Sequence, residues 1–506
     1  MAIVLSSLAA LQSRADSLLA SLAVLLLLMA VRPLIPRLSP PKSAPQFLKK
    51  YRAFNSPSFT NFRADFLRQG KQQSLGNQFS FWYGSNHVVA VSGESARTTY
   101  LTSRGLDSLA GFLVLFGSFL NVDGLTNSIS RNAMLVYKRC TQDDQMTLNL
   151  HHLVTDSNAC LKRIGSKVVD PVDTMGCLIY QLTHRMAGTH DIANNYELVV
   201  STREIYKPLE ESSLFDIWFP LLPTPSKLQR LFGYARLHWL MQSFVNDRRK
   251  TGRVENDAMQ LMMDARLSDS TTALAIIGAI LAGVFNTSIS ASWNLCHLAK
   301  NSAWMSKIRA EVDDAVKKHR NTPTEDLVDI FQRFTLYDWE KSFPSLELAM
   351  HETLRFTMSG TIVRKNIGNK DVPVGDTGFF IPKNSLAVYS SADAHMNPDV
   401  WTNPIQWDPS RHDEERAEGL QTPHSFLGWG SGNHPCRKYR IYLTFAKLNI
   451  VVPTVMIIAA FDFEMCDVGG NITKEPLPSL RYDRVGAGRP AEQVHMRFTP
   501  RAKYDS

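Results

Sequence analysis

Hydrophobic residues cluster in two long stretches of this chain, one near the N-terminus and one near its middle. The first runs from residue 18 to residue 31 as LLASLAVLLLLMAV without a charge. A membrane-spanning helix needs about 20 apolar residues, and the preceding segment is also apolar, interrupted only by Arg14 and Asp16. The pattern predicts a tilted membrane helix within residues 1–32. A cleaved signal peptide fits less well because there is no basic region at the start of the chain, and a disordered N-terminus is the remaining alternative.

The residues that follow this stretch are basic and rich in proline. By the positive-inside rule, the basic residues keep the rest of the chain in the cytosol, and the prolines favour extended backbone. We therefore predict a proline-rich hinge over residues 33–50 and one body over residues 51–506. The basic residues are Arg32, Arg37, Lys42, Lys49 and Lys50, and the prolines are Pro33, Pro36, Pro40, Pro41 and Pro45.

The second apolar stretch, Thr271–Ala299, has helical periodicity. A helix that is hydrophobic on all sides is buried, so this segment is predicted to cross the core. Helix formers also dominate Asp257–His319 and Phe343–Phe356, whereas short extended segments within 361–388 are separated by glycine and proline and predict a small sheet. An alternating strand–helix series is missing, which argues against a doubly wound sheet. The expected fold class is mainly α with a small β region.

Composition and charge narrow the possible functions. The chain has 506 residues, of which 44% are hydrophobic and 20% charged, and this usage is typical of globular proteins. The net charge of +8 comes from 55 basic and 47 acidic residues without a long basic run, so we predict no nucleic-acid partner. The densest basic cluster, Arg248–Lys250 with Arg253, is predicted to be a solvated loop. None of the six cysteines forms a CxxC pair, which excludes a zinc ribbon and a thioredoxin motif.

A glycine-rich loop ends on a single cysteine, as Trp429-Gly-Ser-Gly-Asn-His-Pro-Cys436. A segment with helical usage follows, and a helix N-terminus favours a thiolate. One thiolate cannot complete a zinc site, but it can occupy one axial position of a haem iron. A buried structural thiol is the simpler alternative. A phosphate-binding loop is disfavoured because Asn433 stands where GxGxxG needs glycine and no Walker lysine follows.

Three further motifs precede this loop. Glu352 and Arg355 are three residues apart and can pair on one helix face; Arg355 also replaces the second histidine of HExxH, which excludes a zincin. A proline-punctuated segment runs from Pro404 to Arg411. Within the apolar helix, Gly283 could admit a ligand close to the backbone, although a helix-packing glycine is the simpler interpretation.

The order and spacing of these four motifs resemble the cytochrome P-450 superfamily, the haem-thiolate monooxygenases. The resemblance covers nearly the whole chain, and the strings FLGWGSGNHPC and HMNPDVW are similar to fungal membrane-anchored members that serve secondary metabolism. The family's ExxR, PxxFxPxR and FxxGx(R/H)xC motifs are matched by Glu352 and Arg355, by Pro404, Trp407, Pro409 and Arg411, and by Trp429, Gly432, His434 and Cys436.

The resemblance implies a cytochrome P-450 fold with haem b, iron protoporphyrin IX, between the long buried helix and the cysteine loop. Cys436 would be the axial iron ligand, with Trp429 and Gly432 in the surrounding loop. His434 and Arg364 would bind the haem propionates. Glu352, Arg355 and Arg411 would form a buried structural network. Catalytic residues in the distal oxygen pocket would be Ala282, Gly283, Asn286 and Thr287.

The implied reaction inserts one oxygen atom of O2 into an apolar small molecule, a fungal secondary-metabolite intermediate. The electrons would come from NADPH through a separate NADPH–cytochrome reductase, since the chain carries no flavin or NADPH motif. Basic residues around the proximal side would face that acidic donor, or would only keep the surface soluble. The protein would be single-pass in the endoplasmic reticulum membrane with residues 51–506 as a cytosolic haem-binding catalytic domain. These basic residues are Arg437, Lys438, Arg440 and Lys447.

The sequence departs from the family pattern at two places. Lys438 stands where the family has glycine, and Ala446-Lys447-Leu448 arrives four residues late. In the distal helix, Phe285 and Asn286 replace an acid and a threonine. Two alternatives therefore stay open: a haem-thiolate isomerase or dehydratase that does not need NADPH, and a catalytically impaired family member. A WxxxR propionate motif is missing between residues 46 and 177.

Overall fold

The structure is a computed structural model that describes residues 20, 24, 42–48, 55–115, 138–140, 142–210, 216, 223–433, 440–481, 483 and 486–501. Its α-helices are α1 (Asn55–Asn61), α2 (Arg63–Gln73), α3 (Glu94–Thr102), α4 (Ser108–Leu115), α5 (Asp143–Ile164), α6 (Pro171–Ala187), α7 (His190–Ala193), α8 (Tyr196–Tyr206), α9 (Pro225–Thr251), α10 (Ala258–Asp264), α11 (Asp269–Lys300), α12 (Ser302–His319), α13 (Leu327–Gln332), α14 (Leu336–Lys341), α15 (Pro344–Thr357), α16 (Ala392–His395) and α17 (Arg440–Ala460). Its strands are β1 (Phe79–Tyr83), β2 (Asn86–Val91), β3 (Leu106–Asp107), β4 (Val168–Val169), β5 (Thr361–Asn366), β6 (Val372–Pro373), β7 (Phe380–Ile381), β8 (Leu386–Ser390), β9 (Phe461–Cys466) and β10 (His495–Pro500).

The long helix α11 crosses the middle of the helical body. It begins where the Ser268 hydroxyl accepts a hydrogen bond from the backbone N–H of Thr271 at 3.2 Å, which satisfies one of the free donors of the first turn. Helices α6, α9, α15 and α17 pack around it. Among the described residues, α11 alone is long and apolar enough to span a membrane, but these neighbours make it the core helix of the domain. The prediction of a buried helix over Thr271–Ala299 is confirmed.

The main sheet is larger than the sequence predicted. It has five strands in the order β1-β2-β8-β5-β3, so only β5 and β8 come from the predicted region of residues 361–388. Strand β2 joins β8 in parallel, with Val88 opposite Leu386. No local pattern predicts this pairing, because a parallel partner strand can lie far away along the chain. The mainly α fold with a small β region is nevertheless confirmed.

Part of the predicted hinge packs on the domain. The backbone N–H of Ser80 donates to the Gln46 carbonyl oxygen at 3.0 Å, and the Phe380 N–H donates to the Ser43 carbonyl at 2.8 Å. Phe47 forms a parallel bridge with Ser80 and is 9% exposed. Residues 43–48 are therefore bound to β1 and β7. Apart from residues 20 and 24, the predicted membrane helix lies outside the described residues, and residues 1–32, 33–50 and 51–506 stay predicted boundaries.

The prediction of a solvated basic loop around Arg248 is wrong. This residue lies in α9, is 1% exposed, and its guanidinium pairs with Asp191 at 2.6 Å and with Asp257 at 2.8 Å. Asp257 also caps α10 by accepting from the Gln260 N–H at 2.8 Å. A buried guanidinium needs anionic partners, and here two other elements supply them, which a local charge count does not reveal. Only Arg249 and Lys250 of the cluster are solvent-exposed.

Candidate active site

A buried ion cluster lies at the C-terminal part of α15. The Glu352 carboxylate accepts two hydrogen bonds from Arg355, at 2.8 and 2.9 Å, and one from Nε of Arg411 at 3.2 Å. All three residues are at most 1% exposed. The spacing of three residues brings Glu352 and Arg355 to one helix face, while Arg411 comes from the 3-10 turn Pro409–His412. The structure therefore places the three residues of the predicted network in contact.

Further donors complete the environment of Glu352. The backbone N–H of Asp408 and Nε2 of His412 both lie 3.0 Å from its carboxylate. Burial alone would raise the pKa of Glu352, but the hydrogen bonds from Arg355 and His412 outweigh it and lower the pKa to about 2. The carboxylate is therefore ionised at neutral pH and offsets one of the two guanidinium charges, while Glu418 is a second carboxylate partner of Arg411, at 3.2 Å.

The two arginines also bind backbone carbonyls of the segment that follows α16. Arg355 donates to the carbonyl oxygens of His395 at 2.5 Å and Pro404 at 2.8 Å. Arg411 donates to the Asn403 carbonyl at 2.9 Å. Trp407 donates from its indole N–H to the Thr353 hydroxyl at 3.1 Å. The cluster thus fixes the proline-punctuated segment against α15.

The first half of the glycine-rich loop packs directly on α15. The Leu427 N–H donates to Nε2 of His395 at 2.8 Å, and the Gly430 N–H closes a turn on the Leu427 carbonyl at 2.9 Å. A Cβ at position 428 would lie only 2.9 Å from Cβ of Leu354, between the two charged residues of the ExxR motif. Glycine at 428 is therefore required by this close approach.

The second half of the loop meets the C-terminal end of α3. Gly432 has a φ of +69°, and a Cβ there would collide with the Leu101 carbonyl oxygen. That same oxygen accepts the Asn433 N–H at 3.0 Å and Nη1 of Arg364 at 3.2 Å. The structure thus brings Gly432 and Arg364, which are far apart in sequence, to one place. His434 and Cys436 lie outside the described residues.

The burial and the hydrogen-bond partners of Arg364 indicate whether this site could hold a haem. Its side chain is 2% exposed, it donates only to backbone carbonyls of Tyr100 and Leu101, and its Nε has no partner within the described part of the chain. It forms no ion pair with a carboxylate among those residues. Burial lowers the pKa of Arg364, and the nearby Tyr100 and Asp107 oppose that shift only in part. A buried cation that forms no ion pair among the described residues fits an anionic group such as a haem propionate.

A second unpaired donor lies in the loop itself. Trp429 is 7% exposed, and its indole N–H has no partner in the described ranges. Its ring lies edge-on to His351 of α15, with 6.3 Å between ring centroids. A buried N–H normally finds an acceptor, so the position of Trp429 also fits an acceptor brought by a bound group or by Cys436.

On the distal side, α11 presents two different faces around the predicted oxygen pocket. A Cβ added at Gly278 would meet no described residue within 4 Å, and Ala282, one helical turn later, is exposed. At Gly283 the added Cβ would lie 3.1 Å from the Thr183 methyl group and 3.6 Å from the Phe445 ring. The open face therefore contains Gly278 and Ala282, whereas the contacts of Gly283 are those of a helix-packing glycine.

Asn286 binds a C-terminal loop that the sequence did not connect to the site. Its Oδ1 accepts the Ala487 N–H at 2.9 Å, and the indole N–H of Trp293 donates to the Gly488 carbonyl at 2.9 Å. Arg489 lies over the Phe285 ring, 5.6 Å from its centroid. These contacts fix residues 486–489 along α11. The only local signal was the small-residue run Gly486–Gly488, which does not identify a partner.

A helix begins four residues after the cysteine. Helix α17 begins at Arg440 and includes residues 441–444, so the four additional residues extend its N-terminal end by about 6 Å. The expectation that Lys447 faces an electron donor is wrong, because Lys447 is 13% exposed and pairs with Glu347 of α15 at 2.8 Å. The side chains of Arg437, Lys438 and Arg440 lie outside the described residues.

Comparison with known proteins agrees with this architecture. A family model described as Cytochrome P450 matches residues 162–483. The chain is 27% identical over 475 residues to cytochrome P-450 monooxygenase nsrP of Aspergillus novofumigatus, covering 88% of this chain and 91% of that protein. It is likewise 27% identical over 458 residues to cytochrome P-450 monooxygenase AacuE of Aspergillus aculeatus, covering 88% and 89%.

The fold comparison gives the same result. The structure of retinoic acid bound cyanobacterial CYP120A1 superposes with a TM-score of 0.70 at 18% identity, covering 90% of this chain and 99% of that one. This likeness concerns the fold alone, and it confirms the predicted fold. Since the family model spans more than half of the sequence, the chain belongs to the cytochrome P-450 family.

Proposed function

We propose that this chain is a haem-thiolate monooxygenase in which Cys436 is the axial ligand of haem b. The observation that supports this most strongly is the convergence of Arg364 and the glycine-rich loop on the Leu101 carbonyl, which puts a buried arginine that forms no ion pair among the described residues beside the loop that leads to the cysteine. Haem, when bound with a thiolate ligand, supplies the reductive activation of O2. The absorption spectrum of the reduced, carbon-monoxide-bound protein tests the proposal, because it reports thiolate ligation directly.

The residues of the loop and β5 would hold the haem. Arg364, with His434 as a second donor, would bind the propionates, and Trp429 would donate its unpaired indole N–H to the Cys436 sulfur. A hydrogen bond to a ligating sulfur lowers its electron donation and so tunes the reduction potential. Gly432 keeps the loop close to α3, because any side chain there would collide with Leu101.

On the distal side, Ala282 on the open face of α11 would leave room for the haem and O2, whereas Gly283 would let α11 pack closely on Thr183 and Phe445. Asn286 and Thr287 would transfer protons. Asn286 can both donate and accept hydrogen bonds. Its Oδ1 accepts from Ala487, which leaves the Nδ2 group to face a substrate or a water. Phe285 cannot transfer protons, so the amide takes the place of the usual acid–hydroxyl pair.

Replacing Asn286 with alanine is expected to lower the fraction of NADPH consumption that yields product, because the variant loses both the amide donor and the acceptor for the Ala487 N–H. Asn286→Asp is the matched control, since it keeps an acceptor for Ala487 at the same place. Product formed per NADPH consumed is the measurement. Unchanged coupling in Asn286→Ala would remove Asn286 from proton delivery.

The electron donor is proposed to be an NADPH–cytochrome reductase. The fungal relatives are named monooxygenases. Such chemistry needs two electrons, and the sequence carries no flavin or NADPH motif. Arg437, Lys438 and Arg440 are the remaining basic residues of the predicted donor surface, because Lys447 is paired with Glu347. Charge complementarity would then affect mainly the association rate.

The residues after Cys436 affect how well haem is retained. A chain with Lys438→Gly and without residues 441–444 is expected to hold more haem than the natural chain, because the backbone could then pass closer to the porphyrin and Arg440 would directly precede Phe445-Ala446-Lys447-Leu448. The haem-to-protein ratio after purification is the measurement. Lys438→Gly alone separates the two changes, and an equal or lower ratio in the combined variant would contradict the idea.

The substrate is proposed to be an apolar small molecule, an intermediate of fungal secondary metabolism. The apolar character of α11 and the two Aspergillus relatives support this class. We further propose that residues 1–32 form a single membrane helix in the endoplasmic reticulum, that residues 33–50 include the hinge, and that residues 51–506 form the cytosolic catalytic domain. Apolar substrates partition into the same bilayer.

An exposed sequon tests this topology. Asn471, in Asn471-Ile472-Thr473 after β9, is exposed, so a luminal domain would be glycosylated there. We expect the protein produced in fungal or yeast cells to show no mass change on endoglycosidase treatment. A mass decrease that disappears in Asn471→Gln would instead place the domain in the lumen.

A second candidate function is a haem-thiolate isomerase or dehydratase, and the observation that favours it is Phe285 at the usual acid position. Such an enzyme would turn over without NADPH, whereas the monooxygenase would not. A catalytically impaired family member, which Lys438 favours, would show neither activity. Turnover with and without NADPH and reductase distinguishes the three.

A further inference from the structure

We propose that His395 is a positioning residue whose ring holds the start of the cysteine loop in register with the Glu352–Arg355 pair. This inference rests on the proposed role of Cys436, since a loop that carried no iron ligand would not need such placement. His395 lies at the C-terminal end of α16 and matches neither ExxR, nor the arginine motif, nor the cysteine motif.

The backbone of His395 is bound to the buried ion cluster. Its carbonyl oxygen accepts from Nη1 of Arg355 at 2.5 Å, and its N–H donates to the Ser391 carbonyl at 2.9 Å. The residue is fully buried, at 0% exposure. The hydrogen bond from Arg355 therefore fixes the backbone of His395 relative to the Arg355 guanidinium.

The ring of His395 links this residue to the described part of the loop region. Its Nε2 accepts the Leu427 N–H at 2.8 Å, and its ring packs against Phe426 with 5.7 Å between centroids. A ring nitrogen can accept only when it carries no proton, and burial lowers the pKa of His395 to about 3, so the ring is neutral at neutral pH. The Leu427 carbonyl oxygen in turn accepts the Gly430 N–H. The bond to His395 therefore also helps to position the turn from Leu427 to Gly430.

The surroundings of Nδ1, the other ring nitrogen of His395, argue against a role that is limited to stabilising the fold. With Nε2 as acceptor, Nδ1 bears the proton, and this buried N–H has no partner among the described residues. An unpaired buried donor destabilises a fold, so a histidine here is a poor choice for filling the core. What the ring contributes is an acceptor at one backbone N–H of the loop, nine residues before Cys436.

The chain offers a matched control in His184. This histidine is 1% exposed, burial likewise lowers its pKa to about 3, and its Nδ1 accepts the backbone N–H of Thr189 at 3.4 Å. It lies in α6 and binds a different loop. His184→Leu therefore reproduces the loss of a buried neutral histidine without touching the cysteine loop.

The experiment compares His395→Leu, His395→Gln and His184→Leu with the natural chain. Glutamine can place an acceptor close to the position of Nε2, whereas leucine fills the space without one. We expect roughly tenfold faster deuterium exchange of the Leu427 amide in His395→Leu, a smaller thiolate-ligated fraction in the reduced, carbon-monoxide-bound spectrum, and recovery of both in His395→Gln. His184→Leu is expected to lower the unfolding midpoint and change neither.

Two results would overturn the proposal: exchange at Leu427 in His395→Leu that stays close to the natural rate, or His395→Gln behaving like His395→Leu. If the leucine variant does not fold, His395→Asn, whose side chain is too short to reach Leu427, replaces it in the comparison with glutamine, and equal exchange in the two overturns the proposal. Exchange is measured on haem-free protein as well. A natural chain without a thiolate spectrum would therefore refute the proposed function separately.

Discussion

Replacing Cys436 with serine is expected to abolish the thiolate-type spectrum of the reduced, carbon-monoxide-bound protein and to reduce oxygenation to the background rate. A serine hydroxyl does not ionise near neutral pH as a thiol at a helix N-terminus does, so the iron would lose its electron-donating axial ligand. The measurement pairs this spectrum with NADPH-dependent turnover of an apolar substrate.

Cys296→Ser is the control for this substitution. Cys296 lies in the core helix α11 and is 1% exposed, and burial raises the pKa of its thiol to about 12, which leaves it protonated and unreactive. The control is expected to keep the spectrum and the turnover. A Cys436→Ser protein that still turns over substrate, or a natural chain with histidine-type haem absorption, would contradict the haem-thiolate assignment.

Replacing Glu352 with glutamine is expected to destabilise the protein by about 3–5 kcal/mol, the usual cost of removing one partner of a buried charge pair. Glutamine keeps the shape of the side chain but removes the carboxylate that pairs with Arg355, and it leaves Arg411 with Glu418 as its remaining ion-pair partner among the described residues. Because domains unfold at a cost of only about 5–15 kcal/mol, most of the haem would also be lost. Urea unfolding and the haem-to-protein ratio measure the two effects.

The effect of Glu352 should depend on pH. Its pKa lies near 2 in the folded chain, below the ordinary 4.5, so the stabilisation is complete above the ordinary value and is lost as the pH falls through the lower one. The difference between the natural chain and Glu352→Gln should therefore shrink as the pH is lowered from 4.5 towards 2.

Glu464→Gln is the surface control for this experiment. Glu464 pairs with Arg497 at 3.5 Å, and both side chains are about half exposed, so solvent screens the pair. This variant is expected to change little at any pH. An equally small change in Glu352→Gln would mean that the buried cluster does not stabilise the fold.

The sequence was most informative where the chemistry is local. Glu352 and Arg355 are one helical turn apart, so their pairing follows from helix geometry. The apolar run that became α11 is long and has helical periodicity, which indicated a core helix. The resemblance to a family then placed Arg411 beside them, which no local pattern could have done. What the sequence showed in these cases was periodicity or motif order.

Contacts between distant elements could not be predicted in this way. The hydrogen bonds from Leu427 to His395 and from Ala487 to Asn286 join segments about 30 and 200 residues apart, and neither pair has a spacing rule. Arg248 was mistaken for a surface residue for the same reason, because its carboxylate partners belong to other elements. Hydrogen bonds donated by backbone N–H groups leave no pattern in the sequence, because every residue except proline has such a group. These bonds nevertheless hold the loop before Cys436 in place.

The packing of residues 43–48 on β1 and β7 sets the length of the tether to the proposed membrane helix. If that helix ends at residue 32, about ten residues remain before Ser43, and an extended chain spans at most about 3.3–3.6 Å per residue. The catalytic domain would then stay within roughly 35 Å of the bilayer and keep the side with Ser43 and Phe380 turned towards it. An apolar substrate that leaves the bilayer would then cross only a short distance of water before it reaches the catalytic domain.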